Sequence, residues 1–108
     1  MDLTFGDAGL AGLCNSERRM VQRWGDDGSR QVGRRLFELS ALTHHSDIEH
    51  LPSAVVARAP GGLVTVEFDS GDVTIHGVLA SNSNGRASAG KEGLLVTSVA
   101  VRRRKNAK

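Results

Sequence analysis

What this sequence lacks narrows its chemistry first. It has one cysteine in 108 residues, Cys14. An internal disulfide and a metal site of several thiolates are therefore excluded, and a reducing compartment fits. No apolar run approaches the roughly 18 residues of a membrane span, so no membrane partner is expected. Met1 leads straight into Asp2-Leu3-Thr4-Phe5 without the basic and apolar stretches of a secretory leader, and a cytoplasmic location is expected. There is no phosphate-binding glycine loop, no zinc-ligand spacing and no nucleophile elbow. Neither a metal nor a cofactor is expected.

What is present is an ordinary globular balance. Hydrophobic residues make up 39% and charged residues 24%, at a length that suits one domain. The net charge of +2 is unevenly placed. Residues 102–108 hold five basic side chains, so residues 1–101 carry a net charge of −3. We read 1–101 as a single domain and 102–108 as a basic tail. Of the 14 basic residues 11 are Arg, whose planar donors match phosphate oxygens in pairs.

Met1 to Phe5 alternates as a short strand. Asp7 can cap a helix whose apolar face is Leu10, Leu13, Cys14, Met20, Val21 and Trp24, with Gly25 at its end. Asp26-Asp27-Gly28-Ser29 reads as a turn into a second helix. Its inner face is Val32, Leu36, Leu39 and Leu42, with Arg30, Arg34 and Arg35 mostly outside. The short connection implies an antiparallel helical hairpin. Ser46 to Glu49 adds one more turn before Pro52. Strands are expected at 54–57, 63–68, 73–79 and 94–101, with a hairpin turn at 69–72 and a loop over 80–92. The fold class is α+β: an N-terminal strand, then a helical hairpin packed on a small antiparallel sheet.

Few residues carry chemistry. His44 and His45 diverge on a helix and suit a polar helix end near His50 and Asp47 better than a shared ion. Cys14 reads as a small core side chain. His76 shares a strand face with Thr74, opposite Val73 and Ile75, where an imidazole could act as acid or base or simply meet solvent. Arg58 follows a short strand and could bind a phosphate. Arg86 lies in the long loop. Arg102, Arg103, Arg104 and Lys105 form a polyanion-binding run.

Several of these elements together resemble a family. Leu10-x-x-Leu13-Cys14-x-x-Glu17, the break at Gly25, Arg35-Leu36-x-x-Leu39 and Asp47-Ile48-x-x-Leu51-Pro52 resemble the N-terminal half of HigB-like toxins of the RelE/ParE superfamily. The later half matches in strand order. The resemblance implies a RelE-like fold and the toxin component of a type II toxin–antitoxin system. Such a toxin inhibits growth through ribosome-associated mRNA cleavage by a metal-independent endoribonuclease. A cognate antitoxin in a hetero-oligomer, the ribosome and mRNA are the implied partners.

The family's catalytic pattern is degenerate here. It has a His or Lys after the second helix, an aromatic-Arg pair in a middle strand, and an Asp-Tyr-His-like end. This chain offers Arg58, His76 and the terminal arginines, and contains no tyrosine. Arg58 and His76 are thus the candidate catalytic residues, with Arg86, Arg102, Arg103, Arg104 and Lys105 as RNA contacts. The alternative is a non-catalytic toxin-like protein, either a ParE-like gyrase inhibitor or an inactive homologue. A third reading is a nucleic-acid-binding accessory protein that uses only the tail.

Overall fold

The computed structural model describes residues 1–81 and 92–102. Strand β1 (Asp2–Phe5) leads to α1 (Ala8–Cys14), capped by the Asp7 carboxylate, which accepts from the Leu10 N–H at 2.7 Å. Helix α2 covers Glu17–Ser40, and a 3₁₀ helix follows at His45–His50. The remaining strands are β2 (Ala54–Ala59), β3 (Leu63–Phe68), β4 (Val73–Ser81) and β5 (Glu92–Val101).

The helical part is divided differently from the pattern in its apolar residues. The expected first helix stops at Cys14, because Ser16 caps a new one by accepting from the Arg19 N–H at 3.3 Å. The apolar stripe runs across this break and conceals it. Gly25 interrupts α2 at φ 79° and ψ 175°, a conformation essentially restricted to glycine. Asp26 to Ser29 are not a turn, because the chain re-enters helix at once.

The five strands form one sheet in the order β1-β5-β4-β3-β2. Strands β2 to β5 pair antiparallel. β1 pairs parallel with β5, so the sheet is mixed rather than purely antiparallel. Short turns impose antiparallel pairing on β2–β3 and β3–β4. β1 joins the others through the helices, so no hairpin turn dictates its direction.

One face of the sheet is covered by the helices. Val64, Val66 and Phe68 of β3 and Val73 and Ile75 of β4 are buried there, with Leu94 and Val96 of β5. Met20, Val32, Leu36 and Leu39 of α2 and Ile48 of the 3₁₀ helix complete the core. The β4–β5 register shifts between His76 and Gly77. Gly77 allows the close approach at this bulge. A Cβ there would stand 2.7 Å from the Leu95 carbonyl oxygen and 2.8 Å from Leu94 Cδ1. Gly77→Ala is expected to cost about 1–3 kcal/mol of stability, seen as a lower urea midpoint.

Candidate functional site

The register places the two candidate catalytic residues on opposite faces of the sheet. Arg58 is directly across from Val64, on the helix-covered face. His76 is directly across from Thr65 on β3 and Ser98 on β5, on the open face. Directly opposed residues in antiparallel strands share a face, and the face alternates at each residue. The sheet therefore separates Arg58 from His76, and they line no common cleft.

Arg58 is engaged in structure. Its Nε donates to Glu49 Oε2 at 3.1 Å and its Nη2 to the His45 carbonyl at 3.1 Å. These bonds fasten the 3₁₀ helix to β2. The same helix is tied to β5. The His45 backbone N–H donates to Glu92, and His45 Nε2 lies 2.8 Å from the Gly93 carbonyl oxygen. The His44 ring lies 3.9 Å from the second Glu92 oxygen. Among the described residues, no group of three or more His, Cys, Asp or Glu side chains is arranged to hold a metal ion. Cys14 is half-buried against the core, and burial pushes its thiol up, away from the reactive thiolate.

His76 is exposed, in the row Thr65–His76–Ser98 across three strands. Its Nδ1 is 3.1 Å from the Thr65 hydroxyl, while Thr97 Oγ1 donates to the His76 carbonyl at 3.2 Å. With the Thr65 hydroxyl as donor, the ring proton resides on Nε2. The charged residues of the described strands on this face are the acids Asp2 and Glu67, with no Lys or Arg. Among the described residues, the strands thus present no cation to a phosphate chain on this face.

The arginines collect elsewhere. Arg35 is buried, contrary to its expected outward position, at 8% exposure. It stacks over the Phe68 ring at 4.9 Å and bonds Glu38 at 2.8 Å and Asp69 at 2.6 Å. Burial opposes its charge, but the hydrogen bonds to Asp69 and Glu38 together with the attraction of their negative charges outweigh this and raise its pKa. Its Nε is buried without a partner. One signal in the sequence pointed inward: Val32, Arg35 and Leu39 follow the i, i+3, i+7 spacing of the buried face.

Arg30 and Arg34, one turn apart and exposed, stand between two clefts. One of about 620 Å³ reaches to Arg35 and Asp69. The other, about 520 Å³, extends toward Cys14 and Met20. The positive charge of Arg35 is balanced by its carboxylates, so the exposed cations of this ridge are Arg30 and Arg34; Asp27 lines the first cleft with them, and Glu17 and Asp26 line the second. Arg102 lies against Gly71 in the same β3–β4 turn that carries Asp69, and its backbone N–H donates to the Asp72 carbonyl at 2.8 Å. Arg86, Arg103, Arg104 and Lys105 lie outside the described residues. No helix among the described residues is long and apolar enough to cross a membrane.

No family model, curated protein or solved structure matches the chain.

Glu92 gives a pH test of the strap between the 3₁₀ helix and β5. The His45 backbone hydrogen bond holds its carboxyl below the ordinary carboxylate range. The stabilisation is full above that range and is lost as pH falls through the lowered value. The stability difference between wild type and Glu92→Gln is therefore expected to be largest near neutrality and to vanish in acid. Urea unfolding across a pH series measures it.

Proposed function

We propose that the chain is a toxin-type protein of RelE-like build that binds RNA without cutting it. The observation that carries this is the Arg30–Arg34 ridge, two exposed guanidinium groups one helical turn apart with a cleft on either side. Guanidinium pairs suit successive phosphates, because each presents planar donors to two oxygens. Arg103, Arg104 and Lys105 add a basic run in the sequence. The order strand, helices, then four strands supports the RelE-like arrangement. The separation of Arg58 from His76 favours the non-catalytic version over an endoribonuclease built on that pair. A cognate antitoxin and the ribosome are the partners under this proposal.

The test is fluorescence anisotropy with single-stranded RNA over a salt series, together with mapping of RNA ends. Arg30→Ala/Arg34→Ala is expected to weaken binding at least tenfold and to flatten the log K against log [salt] slope by about 1.4. Arg58→Ala/His76→Ala is expected to leave binding unchanged, and no new RNA ends should form. RNA cleavage by the wild type that Arg58→Ala/His76→Ala abolishes would restore the nuclease reading. Binding that ignores Arg30 and Arg34 but disappears without residues 102–108 would assign it to the tail alone.

A further inference from the structure

The two edges of the sheet differ in what guards them. β1 is four residues long and carries Asp2 and Thr4 on its open face. β2 is six residues, Ala54-Val55-Val56-Ala57-Arg58-Ala59, with no Lys, no Pro and no register shift in its pairing with β3. Edge strands are ordinarily blunted by such devices, because unpaired backbone groups recruit another strand. The one charge on β2, Arg58, is turned to the covered face and tied to Glu49 and His45. An inward-pointing charge can itself guard an edge, but this one is compensated by Glu49 and the His45 carbonyl, so it sets no bare charge against an incoming strand.

The outward backbone groups can be identified. The Asp69 N–H donates to the Ser53 carbonyl at 3.0 Å, which extends the β2–β3 ladder and sets its phase. Hydrogen-bonded and non-hydrogen-bonded pairs alternate along antiparallel strands. Residues 53, 55, 57 and 59 therefore bond inward to β3, while 54, 56 and 58 point N–H and C=O outward. The Ala54 N–H is used by the Leu51 carbonyl at 3.3 Å. Val56 and Arg58 are left with both groups directed away from the sheet.

We propose that β2 pairs antiparallel with β2 of a second copy of this chain, about a two-fold axis through Ala57. In that register Val56 lies opposite Arg58 of the second copy and exchanges both backbone bonds with it, and symmetry repeats the exchange. The edge is self-complementary because its two fully outward residues are separated by one residue. Side chains on the open face agree. Val55 and Leu63 are 65% and 51% exposed, two of the three large apolar side chains left in solvent among the described residues. The pairing sets Val55 against Ala59 of the second copy, which is itself flanked by Leu63 in the β2–β3 register. Ala57 meets Ala57 at the axis. Small side chains thus stand where the two backbones must approach, and the two exposed apolar side chains cover one another across Ala59. Each Arg58 keeps its own Glu49, so the covered face brings no uncompensated charge to the seam. One sheet then runs through both copies.

Sedimentation velocity of the full chain over a concentration series tests this, because an interface of one strand pair is small and its dimer should dissociate on dilution. Ala57→Lys and Ala57→Glu, both at an exposed position, are each expected to be monomeric, since each sets like charges face to face at the axis. An equal mixture of the two is expected to recover the dimer. Amide exchange of the wild type gives a second readout without substitution: the Val56 and Arg58 amides are expected to slow as concentration rises. A wild type that stays monomeric into the high-micromolar range overturns the proposal. So does a dimer indifferent to Ala57→Lys, a mixture that does not recover, or unchanged exchange at Val56 and Arg58.

Discussion

The pairing of Val66 with Ile75 and of Phe68 with Val73 sets which side chains of β2, β3 and β4 face the helices. These four are buried beneath α2, and a shift of one residue in either strand would turn the apolar set to solvent. Burial therefore fixes the parity of the strands. From that parity follow the covered position of Arg58, the open position of His76 and the outward direction of the Val56 and Arg58 backbone. Chemistry on this sheet is constrained by packing before any functional demand acts.

Much of the sheet was legible in the sequence because alternation is a local signal. Leu63 to Phe68 and Val73 to Leu79 alternate around a turn rich in Asp, Ser and Gly, and the hairpin forms there. The face of His76 followed from its neighbours Thr74 and Ile75. The direction of β1 was not legible, because a strand joined through helices carries no turn that states its direction. The break at Asn15–Ser16 was hidden by an apolar stripe continuous in spacing, although Ser16 is an ordinary capping residue.

The candidate site was harder to read, for a related reason. Arg58 and His76 stand out as isolated basic side chains in apolar strands, but isolation in sequence says nothing of a shared face. That depends on pairing with Thr65 and Val64, which is long-range. Arg35 was concealed by its charge. Its guanidinium is tolerated inside because Phe68 stacks beneath it and Asp69 and Glu38 compensate it. Asp69 reaches it from a turn at positive φ, 54°, a conformation that Asp adopts more readily than most residues. The arginine-bearing helix and the β3–β4 turn are thereby joined, and the exposed Arg30 and Arg34 sit on a helix face held in place from below.

The bulge beside Gly77 divides β5 into two phases. Before it the buried positions are the even residues Leu94 and Val96; after it the residues facing Ile75 and Val73 are the odd ones, Val99 and Val101. Thr97 is the extra residue that converts one parity to the other. The strand is therefore one residue longer than the pairing requires at this point. Losing Thr97 would make β5 a regular strand, with Ser98 still opposite His76 and Val99 and Val101 still facing Ile75 and Val73. The extra residue is spare in the count: pairing with β4, and not the length of β5, decides which side chains at the end of the strand face inward.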